Sequence, residues 1–170
     1  MFQSLGKYDK AREYQEKALT IRKEIGDKEG EAASYGNLGT LFQSLGKYDK
    51  AREYDEKALG IRIEIGDKKG EAGSYGNLGA LFQSLGKYDK ARESQEKALA
   101  IRIEIGDKEG EGTSYGNLGT LFQSLGKYDK AREYEEKALA IRIEIGHKDG
   151  EAASYEIGRA SCRERVCQYV

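Results

Sequence analysis

The side chains best suited to chemistry are few and badly placed for it. His147 is the single histidine, and it stands where earlier copies of the same segment carry Asp27, Asp67 and Asp107. A loop substitution accounts for it better than a catalytic base or a metal ligand. Cys162 and Cys167 lie five apart in a basic tail. No second pair and no histidine stands nearby at ligand spacing, so zinc ligation has no support. The carboxylates Glu13, Glu16, Glu53 and Glu56 recur with Lys10, Lys17, Lys50 and Lys57 at helical spacings, the pattern of solvated helix faces. No Ser/His/Asp or Cys/His set is present, and the glycines fall inside helices or at their ends instead of forming a phosphate loop. The expectation is therefore a protein without catalytic residues, metal or cofactor.

Composition narrows the partners. The 170 residues include 29 basic and 30 acidic side chains, a net charge near −1, so no long-range field steers the chain to nucleic acid. Charged residues make up 35% and proline is absent, which suits charge-laced helices. No apolar run approaches the roughly 18–20 residues of a membrane span, and the first residues lack a signal-peptide core. No membrane insertion is expected. Cysteines are absent before Cys162, so no disulfide framework supports the body, which reads as cytoplasmic.

The elements that position everything else come from a repeat. The stretch Ser34–Glu53 returns from Ser74 and from Ser114, and its second half opens the chain at Phe2. The period is 40 residues, and Glu31–Gly70 matches Glu71–Gly110 at 34 of 40 positions. A period of that size marks a stacked solenoid, in which each copy buries its apolar face on its neighbours. In one segment Ala11, Tyr14, Ala18, Ile21 and Ile25 step by three and four, a stripe on one helix face. Asp9 suits the first turn of that helix, Gly26 offers a stop, and Asp27 can cap the second helix of the unit. That second helix carries Tyr35, Leu38, Gly39, Phe42 and Leu45 on its face, and Gly46-Lys47 separates it from its successor by only two residues. So short a connection predicts an antiparallel hairpin. Gly36 and Gly39 inside one helix should each cost about 0.8–1 kcal/mol relative to alanine. For Gly39 close approach of the partner helix is the expected reason; for Gly36 a narrow groove floor is one possibility.

Those residues resemble the tetratricopeptide repeat. The signature falls on Tyr35, Leu38, Gly39, Phe42, Gly46, Tyr48, Ala51, Tyr54, Ala58 and Leu59, with corresponding sets in Tyr75–Leu99 and Tyr115–Leu139, and the likeness covers residues 1–155. Ile63, Ile103 and Ile143 replace the proline that usually closes the second helix. That substitution and the 40-residue period make the chain similar to the longer-repeat subclass of Pins/LGN-type G-protein-signalling modulators and kinesin light chains. Ser94 stands where other copies have tyrosine, which predicts a weaker packing contact. The resemblance implies an all-α, right-handed superhelix of stacked hairpins, with helices near 8–25, 28–45, 48–65, 68–85, 88–105, 108–125 and 128–145 and an eighth from about 148. Tyr8, Tyr48, Tyr88 and Tyr128 are expected to pack at hairpin turns.

Both ends depart from the pattern. Met1-Phe2 aligns with Leu41-Phe42, in the middle of a first helix. After Tyr155 the repeat stops, and residues 156–166 resemble the translation of a common short-read sequencing adapter. Residues 156–170 are accordingly expected to be a non-native tail. A polar capping helix is the alternative.

In proteins of the resembled family the first helix of each hairpin lines the concave surface. By position this places Ala33, Gly36, Asn37, Thr40, Gln43 and Ser44 there. Gly73, Gly76, Asn77, Ala80, Gln83 and Ser84 join them, then Thr113, Gly116, Asn117, Thr120, Gln123 and Ser124. The trough would be shallow and polar. An asparagine carboxamide donates to a peptide carbonyl and accepts from its N–H at once. Asn37, Asn77 and Asn117 in a row could hold an extended chain by its backbone, each bond contributing roughly 0.5–1.5 kcal/mol. Alternatively the asparagines cap or bridge their own helices. The implied function is a protein–protein interaction scaffold binding a protein or peptide partner. Two alternatives stand beside it: the sensor array of a larger signalling NTPase or G-protein regulator, and a spacer rod. Self-association through exposed terminal repeats is a further expectation.

Overall fold

Alternate helix boundaries are written twice, as a glycine stop and an aspartate cap, whereas Lys47, Lys87 and Lys127 precede their helices without a side-chain cap. In the computed structural model, residues 2–146 are described, with side chains described from Lys10 onward. They form seven helices: α1 (Phe2–Glu24), α2 (Lys28–Ser44), α3 (Tyr48–Glu64), α4 (Lys68–Ser84), α5 (Tyr88–Glu104), α6 (Lys108–Ser124) and α7 (Tyr128–Glu144). At the end of α2, Gly46 adopts φ +68°. Its N–H donates to Gln43 O at 2.9 Å, and the Lys47 N–H donates to Phe42 O at 2.9 Å. This left-handed stop satisfies two carbonyls that the helix end would otherwise orphan. At the start of α2, Asp27 Oδ1 accepts from the Gly30 N–H at 2.9 Å, and Asp67 and Asp107 repeat the cap at 2.8 and 3.1 Å.

The α2/α3, α4/α5 and α6/α7 pairs are the closely packed hairpins; α1/α2, α3/α4 and α5/α6 are the joints between them. α2 touches α4, and α4 touches α6, while α3, α5 and α7 stay apart. The first helices therefore converge on one side of the stack and the second helices diverge on the other. Leu38, Phe42, Ala51, Leu78 and Leu81 form one buried cluster, and Ala91, Leu118 and Leu121 form the next, with Phe82 packed against both. Tyr48 and Tyr88 are half-buried against these clusters, as expected of residues at hairpin turns. The fold is an all-α repeat solenoid.

Three expectations change. First, no turn separates residues 2–5 from the helix after them: α1 runs unbroken from Phe2. Extending an existing helix by a residue is cheap, whereas a separate four-residue helix would have to meet the cost of its own nucleus. Second, the stripe of α1 is open. Tyr14 is 70% and Ile21 56% exposed, although the matching Tyr54 and Tyr134 are half-buried and the matching Ile101 and Ile141 are buried. In inner copies the preceding helix covers this face, and no described helix precedes α1. Third, the Ile25 position lies off the stripe, since Ile65 and Ile105 are exposed too; the helix ends before the stripe could include it.

The partner-helix explanation of Gly39 holds, with a specific neighbour. A Cβ on Gly39 would overlap the carboxyl of Asp55, and one on Gly79 or Gly119 would meet the Gln95 or Glu135 side chain. Each hairpin thus lays one polar side chain of its second helix against a glycine of its first. His147, Cys162, Cys167, the eighth helix near 148 and the 156–170 tail lie outside the described residues.

Candidate functional site

The converging helices α2, α4 and α6 carry all the residues assigned to the trough. Asn37, Thr40 and Ser44 are exposed and Gln43 is half-buried; Asn77, Ala80 and Ser84 are exposed and Gln83 is half-buried. On α6, Thr120 and Ser124 are exposed, whereas Asn117 and Gln123 are half-buried. Gln83 Nε2 donates to Ser124 Oγ at 3.4 Å, which ties the tips of α4 and α6 together.

The hydroxyls spend their protons at home. Thr40 Oγ1 donates to Gly36 O at 3.2 Å and Ser44 Oγ to Thr40 O at 3.0 Å. Ser84, Thr120 and Ser124 do the same one turn back, at 3.1, 3.1 and 3.0 Å. Their oxygens face outward as acceptors only. The amides differ. Asn37 and Asn77 make no hydrogen bond among the described residues, so both their donor and acceptor functions are available. Asn117 Nδ2 donates to Gln95 Oε1 at 3.4 Å. Neither of the two readings of the asparagines therefore covers all three: one is bridged internally and two are not.

Beneath the trough is a feature that sequence reasoning missed. Arg62 Nη1 donates to Gly70 O at 3.1 Å and to Ser74 Oγ at 2.7 Å, linking the end of α3 to α4. Arg22 reaches Gly30 O and Ser34 Oγ at 2.9 and 2.6 Å, and Arg102 reaches Gly110 O and Ser114 Oγ at 3.0 and 2.7 Å. The three serines are fully buried, so each arginine satisfies a hydroxyl that water cannot reach. Burial lowers the pKa of Arg102, and nearby Asp107 opposes the shift. The available signal was an Arg–Ser pair twelve apart, recurring in every copy. Gly36 lies near Arg62 Nη2, but a Cβ there would sit at an ordinary 3.8 Å, as at Gly76 with 3.9 Å; only Gly116, at 3.2 Å from Arg142 Nη2, is tight. A narrow floor does not explain Gly36.

The second missed position is the polar residue under Gly39. Asp55 is 1% exposed and neither carboxyl oxygen has a hydrogen-bond partner. Burial raises its pKa to about 7; Arg62 opposes this and Glu56 adds to it. Glu135 shifts upward for the same reason, with Arg142 opposing. Gln95 avoids the problem: its Nε2 donates to Gly76 O at 3.2 Å. An open recess of about 450 Å³ lined by Gly46, Lys47, Tyr48, Asp49, Lys50 and Leu85 lies at the hairpin turns, away from the asparagines. No group of three or more side chains suited to hold a metal occurs among the described residues, and no described helix is long and apolar enough to cross a membrane.

Comparison with known proteins agrees with this architecture. The chain is similar to BtubC of P. vanneervenii, with 26% identity, a TM-score of 0.78, and coverage of 97% of this chain and 72% of that one. It is similar to a signal transduction ATPase with numerous domains and a tetratricopeptide repeat sensor from Pyrococcus horikoshii, at 26% identity and TM-score 0.80, covering 94% of this chain but 25% of that one. A kinesin light chain-type protein of Podosopora anserina, with nearly identical TPR-like repeats, shares the fold at 22% identity and TM-score 0.68, over 98% and 87% of the two chains. No curated protein matches the chain. The family model for the tetratricopeptide repeat matches residues 1–64 and 70–144. Repeats of this kind are in general protein-interaction modules and not enzymes, and with most of its length accounted for by two such matches, the chain belongs to the tetratricopeptide repeat family.

Proposed function

We propose that this chain is a cytoplasmic interaction scaffold whose polar trough holds an extended segment of a partner protein by its backbone. The observation that carries the reading is the state of the amides. Asn37 and Asn77 occupy equivalent, exposed places on touching helices, and neither is used internally. Thr40, Ser44, Ser84, Thr120 and Ser124 add outward acceptors, and Gln43, Gln83 and Gln123 add amides at the tips. A backbone running across α2, α4 and α6 would meet alternating donors and acceptors, each hydrogen bond contributing about 0.5–1.5 kcal/mol.

A peptide array probed with the full chain tests this. Changing Asn37, Asn77 and Asn117 together to Ala is expected to weaken capture about 10–100-fold, the equivalent of two to three modest hydrogen bonds. Equal capture by wild type and triple variant would remove the asparagines from the site. Asn117→Ala alone is expected to matter least, because that amide is already bridged to Gln95.

A second reading is favoured by one comparison, the likeness to the repeat sensor of a signal transduction ATPase. In that reading the same trough serves as the sensing element of a larger signalling protein.

A further inference from the structure

The middle hairpin lacks one ring that both its neighbours have. In α2/α3, Tyr54 stacks on Phe42 with ring centroids 5.3 Å apart and planes 7° from parallel, and it lies 5.9 Å from Tyr35. In α6/α7, Tyr134 repeats the arrangement on Phe122 at 5.4 Å and 10°, and on Tyr115 at 6.1 Å. In α4/α5 the same position is Ser94. The two helices have not drawn together in response: α4 and α5 pack as extensively as the other two pairs. The helix spacing is therefore kept where the ring is missing. Phe82 is half-buried where Phe42 and Phe122 are 3% exposed. Ser94, 8% exposed, forms the floor, and its side chain makes no hydrogen bond among the described residues.

The rest of the ring's surroundings is still in place. Lys90 Nζ stands 5.7 Å from the Phe82 centroid and Lys97 Nζ 5.5 Å from that of Tyr75. These match Lys50 over Phe42 at 5.5 Å and Lys57 over Tyr35 at 5.8 Å. In the filled copies the lysine also covers the ring itself, with Lys57 at 5.5 Å from Tyr54 and Lys137 at 5.4 Å from Tyr134. The polar end has a counterpart as well. Tyr134 lies within the field of Glu96 from the preceding hairpin, and the 40-residue repeat puts Glu56 in that relation to Ser94.

We propose that the notch over Ser94, bounded by Tyr75, Phe82, Lys90 and Lys97, is a binding site for a tyrosine side chain carried by a protein partner. The flanking copies are its template: the guest ring stacks on Phe82, lies under Lys97 and turns its hydroxyl toward Glu56. Stacking and the cation above the ring select an aromatic guest, and the carboxylate selects a phenol over a plain phenyl ring. The site uses none of the trough residues, so it stands or falls separately from the asparagines.

N-acetyl-L-tyrosinamide is a suitable probe, titrated into the 15N-labelled full chain with N-acetyl-L-leucinamide as control. The tyrosine derivative is expected to bind saturably, with a dissociation constant on the order of 1 mM for a fragment of this size. The largest amide shifts should fall around Tyr75, Phe82 and Ser94, and the leucine derivative should leave them in place. Ser94→Tyr, which installs the residue of the neighbouring copies, should abolish the shifts and raise the unfolding midpoint by about 5 °C. Tyr54→Ser should open a second site with the same preference. Equal response to both amides, or binding that survives Ser94→Tyr, would overturn the proposal. Shifts that depend on protein concentration alone, with dimers in sedimentation, would instead assign the notch to a second copy of the chain and overturn the partner assignment.

Discussion

The hairpins α2/α3 and α4/α5 are close to a controlled experiment. They share 34 of 40 residues across the repeat, and their helices pair to the same extent. Two of the six differences lie side by side in the interior, Tyr54 against Ser94 and Asp55 against Gln95. One hairpin fills its aromatic slot but buries a carboxyl group with no partner; the other leaves the slot open but satisfies its polar residue. The spacing of the helices does not change, so it is set by what the copies have in common: the small Ala51/Ala91 and Gly39/Gly79 contacts and the buried Leu38/Leu78. The variable pair alters stability and surface without moving the scaffold.

The largest effect should come from making the first hairpin resemble the second at its polar position. Asp55 ionises near pH 3.8 in an unfolded chain and near pH 7 in the folded one. Between these values the folded state holds a proton that the unfolded state has released, so raising pH favours unfolding. The penalty starts above about pH 4 and is complete above about pH 7. Asp55→Gln removes it and supplies a donor for the Gly36 carbonyl, as Gln95 does for Gly76. We expect stabilisation by about 1–3 kcal/mol at pH 8, the cost of an unsatisfied buried group, and much less at pH 4. Urea unfolding at the two pH values checks it. A gain of the same size at both would show that ionisation of Asp55 is not the cause.

Next in size is the glycine above that carboxyl. Gly39→Ala should destabilise the chain by about 1–2 kcal/mol, because overpacking against a short, enclosed side chain outweighs alanine's better helix propensity. In an Asp55→Ala background the same change should become neutral or favourable. A double-mutant cycle reads the coupling directly, and additive effects would separate Gly39 from Asp55.

Much of this architecture could be read from the letters because each local signal repeats the global one. Gly26, Asp27, Gly46 and Asp67 bound the helices where the stop and cap chemistry says they should, and Leu38 and Phe42 face inward as their spacing predicts. The trough residues could be assigned to helices but not to hydrogen-bond states. Whether Asn117 donates to Gln95 while Asn77 stays free depends on the residue 22 positions earlier, a side chain on another helix. Helical spacing alone cannot reveal that the Arg62 guanidinium crosses a joint to the buried Ser74. The α1 stripe misled for a related reason: periodicity identifies a face that can be buried, and burial needs a neighbour.

The smallest effect sharpens the comparison from its exposed side. Gly60 lies in the interior of α3, exposed, with nothing within 4 Å of where its Cβ would stand. The matching positions in the next two copies are Ala100 and Ala140. Unlike Gly39, it has no contact that requires the missing side chain, so only the backbone entropy of the unfolded chain is at stake. Gly60→Ala should stabilise by about 0.8–1 kcal/mol, independently of pH and without altering any binding property. Two glycines in one hairpin would then respond to the same substitution with opposite signs, Gly39 because Asp55 faces it and Gly60 because water does. Loss of stability on Gly60→Ala would mean that an unrecognised contact reaches α3 from outside the hairpin.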